Sequence, residues 1–320
     1  MLMPRVVAGI FSAGLMVLSA DIAHGQAYPN KPLRIVIAGV GAGTDFLARL
    51  VGQGISVPLG QNVIVESRSG AIMATEVVAR AAPDGYTMLL IAGNLWTTPL
   101  VQKTTYDPVK DFSPITTLTR TPNMLVVHPS VPAKSVKELI DLAKAKPGTL
   151  NYSIGVMGGA THLAGELFKS MAGVNIVMVP YNSSAPAVNA VLGGEVQLMF
   201  PNAPTVAPHV KSGKLRALGV GSAEPTALAP GVPTMAASGL PGYESTVLQC
   251  LFAPAKTPAA IIKRLNQEIV RFLNTPETKA RLLSAETEAV GSSPEQLAAI
   301  IKADMPRSAK LYKDIGMRAE

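Results

Sequence analysis

The sequence has 320 residues, a formal net charge of +7 and a single cysteine. Its basic residues are scattered and its aromatic residues include one Trp and seven Phe, so it lacks the basic stripe with stacking aromatics that nucleic-acid binding requires. Cys250 cannot form an internal disulfide, and the apolar run from Val247 to Ala253 predicts that its thiol is buried and inert. The four histidines show no paired spacing, which argues against a zinc or iron site.

The N-terminus has the pattern of a secretory signal peptide. Arg5 precedes an apolar run from Val6 to Leu18, and small residues stand at the cleavage positions in Ala23-His24-Gly25. This run is shorter than the ~20 residues that a membrane-spanning helix needs, although an uncleaved anchor is the alternative interpretation. We predict a signal peptide over residues 1–25 and a periplasmic mature protein that is long enough for two domains.

The first segment of the mature chain has the pattern of a strand, a glycine-rich loop and a helix. Ile35 to Ile37 is an apolar run typical of a buried strand, and apolar residues from Leu47 to Ile55 have helical spacing. A loop without side chains lets a ligand approach backbone N–H groups and the positive end of the helix dipole, which favour an anion. We expect Asp45 to cap its helix or tie down the loop in preference to contacting the ligand. The candidate ligand-binding residues here are Gly39, Gly41, Gly43, Thr44 and Asp45.

The next segments continue a β–α–β–α–β order. Strands are predicted over residues 62–66 and 87–92, with a helix over residues 74–81 between them. This order implies a parallel sheet with right-handed crossovers. Ligands of such sheets lie beyond the carboxyl ends of the strands, so Asn94, which follows the third strand, is a further candidate.

The opening pattern returns in the middle of the chain. After extended segments over residues 114–118 and 124–128 and a helix over residues 136–144, a strand is predicted over residues 150–154 and a helix over residues 162–171. Glycines again fill the loop between strand and helix. The candidate ligand-binding residues of this second loop are Ser153, Gly158, Gly159, Ala160 and Thr161.

The two strand–loop–helix units predict two lobes that face a cleft. The remaining predicted strands and helices are 176–180, 185–192, 196–200, 214–220, 247–253, 258–273, 276–283 and 294–301. Neither lobe is complete in one run of chain. We predict that residues 26–123 and 222–320 form lobe 1 and that residues 124–221 form lobe 2.

Catalytic motifs are weak in this sequence. The dinucleotide fingerprint G-x-G-x-x-G is matched by Gly39 and Gly41, but Thr44 stands at its third glycine, and an exported protein seldom meets a nicotinamide cofactor. The G-x-S-x-G motif of serine hydrolases is absent from the sequence. We expect His162 to cap or pack locally; a secreted enzyme that uses His162 with an acid in the cleft is the alternative. No cofactor is predicted.

Ten segments in order along the chain resemble one known family: YPNKPLRIVI, TDFLAR, PDGYTMLL, YDPVKDFSP, KSVKELIDLAKAKPGTLNYS, HLAGELFKSMAG, VPYNSSAPAV, GKLRALGV, GVPTMAASGLPGYE and APAKTP. Through them the chain resembles the Bug (TctC-like) extracytoplasmic solute receptors. Proteins of this family are the substrate-binding components of tripartite tricarboxylate transporters.

The resemblance implies an α/β fold like the type II periplasmic binding proteins, with two lobes joined by two crossing strands around a ligand cleft. It implies a monomer that captures a small organic carboxylate for membrane permease subunits and is not an enzyme. A sensory receptor of the same fold is the alternative. In the family, the two glycine loops grip one ligand carboxylate, and Tyr181 and Asn202 are implied to line the rest of the cleft.

The glycine loops depart from the usual pattern of this family. Gly41-Ala42 replaces a Gly-Gly pair in the first loop, and Ile154, Val156 and Met157 reduce the number of hydroxyl donors in the second loop. The lysine that often follows VPY is Asn182 in this chain. These departures leave room for a smaller, less charged or more apolar carboxylate.

Overall fold

The computed structural model describes residues 28–38, 42–155 and 157–317. The predicted signal peptide, Gly39, Gly41 and Val156 therefore lie outside the described residues. The strands are, in chain order, β1 (Leu33–Ala38), β2 (Val63–Arg68), β3 (Thr87–Ala92), β4 (Phe112–Pro122), β5 (Met124–Val127), β6 (Asn151–Ile154), β7 (Val177–Pro180), β8 (Leu198–Met199), β9 (Arg216–Val220), β10 (Thr246–Pro254) and β11 (Glu288–Ala289).

The α-helices of the described residues cover both faces of two sheets. They are, in chain order, α1 (Ala42–Leu59), α2 (Ala71–Ala79), α3 (Asn94–Thr97), α4 (Val136–Ala145), α5 (Ala160–Ala172), α6 (Ser184–Leu192), α7 (Ala203–Lys211), α8 (Ala259–Leu273), α9 (Pro276–Ser284) and α10 (Pro294–Asp314). None of these described helices combines the length and the apolar character that crossing a bilayer requires.

The first sheet has six strands in the order β11-β4-β10-β3-β1-β2. Strand β1 pairs in parallel with β2 and β3, whereas β10 runs antiparallel to β3 and β4. Ile35, Val36 and Ile37 are fully buried, because α1 and α8 cover one face of the sheet and α2, α3 and α10 cover the other. Burial on both faces is the physical reason for the continuous apolar run of β1.

The second sheet has five strands in the order β7-β6-β8-β5-β9. Strand β6 is parallel to β7 and β8, and β5 is antiparallel to β8 and β9. Helices α4 and α5 cover one face and α6 and α7 the other. Phe200 links the core of this lobe, with its ring centroid 6.1 Å from that of Tyr152 and 5.3 Å from that of Phe168.

The chain passes between the two sheets at Asn123, which separates β4 from β5, and at Ser245, which precedes β10. A ring of three backbone hydrogen bonds joins these points: Asn123 donates to Ser245 over 3.0 Å, Ser245 to Gly221 over 2.8 Å, and Gly221 to Asn123 over 2.7 Å. Between Gly221 and Ser245, Met235 and Tyr243 still pack in the core of the second sheet. The predicted boundary at Gly221 stays a prediction, and this packing favours a return crossing at Ser245.

The predicted α/β fold with two lobes is confirmed, and the structure differs from the predicted elements in a few places. Helices α3 and α7 and strand β11 were not predicted. The prolines of α7 favour a loop in the sequence, but Pro204 stands in the first turn, where its missing N–H has no intrahelical partner to lose. Helix α10 continues past residue 301 through Pro306 to Asp314, because residues such as Tyr312 bury apolar surface there.

Candidate functional site

The first candidate loop leads directly into α1. This helix begins at Ala42, so Thr44 and Asp45 lie in its first turn, and Asp45 is not the N-cap residue that the sequence offered as one of its two roles. Ala42 and Gly43 adopt the helical conformation themselves and move the start of the helix toward the loop. Gly43 is exposed, and a Cβ built on it would meet nothing within 4 Å among the described atoms. Among the described residues, nothing therefore fills the space beside Gly43 in the first turn.

The carboxylate of Asp45 is engaged by Arg49. Its Oδ2 lies 2.7 Å from Arg49 Nε and its Oδ1 lies 3.0 Å from Arg49 Nη2. The hydrogen bond from Arg49 lowers the pKa of Asp45 below its usual value, and the first turn of a helix also favours a negative charge. The guanidinium offsets the carboxylate charge, so Asp45 repels an anion at this helix end less than an unpaired carboxylate would.

The ends of β1 and β3 lie at the same end of the first sheet. Ile37 of β1 pairs with Leu90 of β3, and Ala92 at the end of β3 pairs with Gln249 of β10. Asn94 is the first residue of α3 and lies at this edge. The structure therefore places Asn94 and Gln249 at the end of the first sheet where β1 also ends.

Two polar residues at this edge were missed by the sequence analysis. Gln249 interrupts the apolar run from Val247 to Ala253 in β10, and this interruption is the signal that could have found it. Arg68 ends β2 opposite Ala38, and its guanidinium forms an ion pair with Glu66. Glu66 also accepts a hydrogen bond from Arg34 Nη1 over 2.9 Å, so this carboxylate is shared by two cations.

The second candidate loop joins β6 to α5. Ser153 is fully buried, and its Oγ donates a 2.9 Å hydrogen bond to the carbonyl oxygen of Ala187 in α6. The hydroxyl of Ser153, a candidate ligand-binding residue, thus holds α6 against β6. Gly158 has a φ of 73°, a left-handed conformation that suits glycine.

The N-terminus of α5 carries the other candidates of the second loop. Gly159 is the N-cap residue and has no side-chain cap. Ala160 is exposed and Thr161 half-buried. The N–H groups of a helix's first turn have no intrahelical partners, so they are candidate donors to a ligand at this end of α5.

His162 lies in the first turn of α5 and is 3% exposed. Its Nδ1 accepts a 3.0 Å hydrogen bond from the backbone N–H of Gly158. Burial lowers the pKa of His162 below 6.5, with an opposing contribution from Glu166. The neutral ring therefore fixes the loop, in agreement with the expectation that His162 packs locally. One of the two ring nitrogens that could act as a general base already accepts a hydrogen bond.

Tyr181 and Asn202 lie on the second sheet's side of the chain crossing. The backbone N–H of Tyr181 donates to the carbonyl oxygen of Ile154 over 2.9 Å, and its ring packs against the core beside α6 and α7. Asn202 precedes α7, and its Oδ1 lies 3.4 Å from Nδ2 of Asn123. Asn202 therefore sits next to a crossing strand.

Cys250 is fully buried in β10, and burial raises the pKa of its thiol to about 12. The prediction that this thiol is buried is confirmed, and its inertness stays a prediction. Within the described residues, no group of three or more His, Cys, Asp and Glu side chains is arranged to hold a metal ion.

Comparison with known proteins agrees with this architecture. The family described as tripartite tricarboxylate transporter family receptor, TctC, matches residues 47–317. An R. palustris protein solved with adipate is 34% identical, with a TM-score of 0.71, over 92% of this chain and 100% of that one. The periplasmic binding protein BugD is 31% identical, with a TM-score of 0.68, over 92% of this chain and 100% of its own.

A third solved structure is MatC from Rhodopseudomonas palustris, which contains bound malate. It is 28% identical to this chain, with a TM-score of 0.67, over 89% of this chain and 99% of MatC. The family match covers most of the sequence, and the solved proteins align over nearly their whole length. The chain therefore belongs to the family of tripartite tricarboxylate transporter receptors, as a solute-binding protein of the TctC and Bug type.

Proposed function

We propose that this protein captures a small organic carboxylate in the periplasm and delivers it to the membrane subunits of a tripartite transporter. The observation that supports this best is the presence of two glycine-containing loops, each running from a strand of its own sheet into a helix N-terminus. Backbone N–H groups and the positive end of a helix dipole suit carboxylate oxygens. Adipate and malate, which are bound to two solved relatives, are both dicarboxylates.

Each loop has a distinct part in the proposed binding. The N-termini of α1 and α5 approach one ligand carboxylate from the two lobes, with N–H donors from residues of the first turns and hydroxyl donors from Thr44 and Thr161. Because Arg49 neutralises Asp45, the ligand meets a net attraction at α1. Tyr181 and Asn202 are proposed to line the other part of the cleft.

Ligand capture is proposed to proceed by closure of the two lobes. The ring of hydrogen bonds among Asn123, Gly221 and Ser245 holds the crossing strands together. Rotation of one lobe against the other is therefore expected to change only a few backbone torsion angles next to this ring, as in other hinged proteins. Small-angle X-ray scattering tests this step. Saturating ligand should lower the radius of gyration, and an unchanged scattering curve with bound ligand would contradict closure.

A panel of mono-, di- and tricarboxylates tests the ligand class. A ligand that binds the native state raises the free energy of unfolding by about 2.7 kcal/mol at a concentration of 100 times its Kd, which a thermal-shift assay detects easily. Hits are then measured by isothermal titration calorimetry. If no carboxylate stabilises the protein, the proposed ligand class is wrong.

Transport and export need tests of their own. Deletion of the gene should abolish uptake of the ligand that the panel identifies, and co-purification should recover the permease subunits. Sequencing of the N-terminus of protein from the periplasm should place cleavage near Gly25. Light scattering after size-exclusion chromatography should give the mass of a monomer.

A further inference from the structure

Two side-chain amide oxygens at the edge of the first sheet are buried and unpaired. They are Oδ1 of Asn94 and Oε1 of Gln249, and neither has a hydrogen-bond partner within the part of the chain that the structure describes. Gln249 is in register with Ala92, the last residue of β3, and Asn94 follows two residues later. Both amides therefore belong to the edge where the first candidate loop begins.

Two other side-chain amides of the fold, one buried and one half-buried, have hydrogen-bond partners. At the chain crossing, Nδ2 of Asn123 donates to the carbonyl oxygen of Phe200 over 2.8 Å, and Oδ1 of Asn123 accepts from Ser245 Oγ over 3.0 Å. In the second sheet, Oε1 of Gln197 accepts from the backbone N–H of Asn151 over 3.0 Å. An unpaired buried oxygen lowers stability and is uncommon in native proteins, so two of them at one strand edge point to a partner that arrives with the ligand.

The chemistry of these two amide oxygens indicates which ligand group would pair with them. An amide oxygen only accepts hydrogen bonds, so it pairs with a hydroxyl or an ammonium group and not with an ionised carboxylate. We propose that Asn94 and Gln249 form a subsite that accepts hydrogen bonds from a hydroxyl or ammonium group of the ligand. The preferred ligand is then a hydroxy- or amino-substituted carboxylate, an inference that rests on the proposed carboxylate-binding function.

Matched ligands test the subsite. Succinate, malate and aspartate differ only at one carbon, as do glutarate, 2-hydroxyglutarate and glutamate. Calorimetry on the wild-type protein should give an affinity for at least one substituted acid that is about tenfold or more above that of its unsubstituted parent, because a site built for a donor leaves its acceptors unpaired with the parent. Comparison of the hydroxy acids with the amino acids identifies whether a hydroxyl or an ammonium group is the donor.

Two variants test the residues themselves. Gln249→Met and Asn94→Leu keep the approximate side-chain volume and remove the acceptor, so each should reduce the preference for the substituted acid over its parent to about twofold or less. A preference that survives in both variants overturns the subsite, and so does a wild-type protein that binds parent and substituted acids equally. In both cases the carboxylate-binding function stands. Failure of all carboxylates to bind overturns the proposed function, and this inference with it.

The unliganded protein gives a second readout. Gln249→Met removes an unpaired oxygen, so the thermal midpoint should stay the same or rise, whereas Gln197→Met removes the acceptor of the Asn151 N–H and should lower it. If Gln249→Met lowers the midpoint as much as Gln197→Met does, the amide of Gln249 is structural and the proposal fails.

Discussion

The backbone N–H of Gly158 donates a hydrogen bond of 3.0 Å to Nδ1 of His162. This contact closes the second candidate loop onto the first turn of α5, with Gly158 in a left-handed conformation. The histidine that the sequence offered as a possible base is thereby a fixed part of the loop that it follows. By fixing this loop, His162 also fixes the N-terminus of α5 that is proposed to bind the ligand carboxylate.

Replacing His162 should therefore loosen the loop. His162→Ala leaves the Gly158 N–H without its partner and opens a buried space, so the free energy of unfolding should fall by about 1–3 kcal/mol. Ligand affinity should fall to a smaller extent, because the N–H donors of α5 remain. Urea denaturation and calorimetry measure the two effects.

His162→Asn is the matched control for this change. The Oδ1 of Asn can take the place of Nδ1 as acceptor, so much of the lost stability should return. If His162→Ala is as stable as the wild-type protein, the hydrogen bond to Gly158 has no structural weight. Loss of a measurable turnover in His162→Ala would instead support the alternative of a secreted enzyme.

Stability should also depend on pH through His162. Burial lowers its pKa below the 6.5 of the unfolded chain, while Glu166 opposes and Lys169 reinforces this shift. As the pH falls below 6.5, His162 takes up a proton in the unfolded state before it does so in the folded state. The stabilisation that comes from burying the neutral ring is therefore complete above pH 6.5 and is lost as the pH falls through the folded pKa. Urea denaturation between about pH 7.5 and about pH 5 should give a steeper loss for the wild-type protein than for His162→Asn. An equal dependence of unfolding free energy on pH in the two proteins would contradict the assignment of this effect to His162.

The chain crossing should tolerate no side chain at Gly221. A Cβ there would lie 2.5 Å from the carbonyl oxygen of Ser245 and 3.2 Å from that of Asn123. Because both neighbours are backbone atoms of the crossing strands, Gly221→Ala should lower the free energy of unfolding by about 1–3 kcal/mol. Gly43→Ala is the control, since nothing described lies within 4 Å of that position. Equal stability of the two variants would show that the crossing can adjust.

Substitutions at Gly43 should change ligand affinity without changing the fold. Gly43→Phe should leave the fold intact, because no described atom lies within 4 Å of a Cβ at this helical position, and glycine itself destabilises a helix by about 0.5–1 kcal/mol relative to alanine. The ring would occupy the space beside the N-terminus of α1, so ligand affinity should fall by about tenfold or more. Gly43→Ala should bind nearly as the wild type does. Unchanged affinity in Gly43→Phe would place the ligand away from this helix end.

Periodicity predicted most of the fold because buried strands and amphipathic helices impose local patterns. The run at Ile35–Ile37 and the helical spacing from Leu47 to Ile55 are examples, and the structure has β1 and α1 there. Elements whose stability comes from distant contacts escaped prediction. The last turns of α10 are held through pairs such as Asp304 with Trp96, where Nε1 donates over 2.8 Å across 208 positions of sequence.

In the candidate site, too, some features follow from the sequence and others only from the tertiary structure. The sequence by itself determined the family resemblance, the two glycine loops and the absence of a catalytic motif, because these depend on which residues stand next to each other in the chain. Only the tertiary structure decided that Ser153 binds α6, that Asp45 is paired with Arg49, and that Gln249 joins Asn94 at one edge. The physical reason is that side-chain direction and strand register depend on packing between segments far apart in sequence.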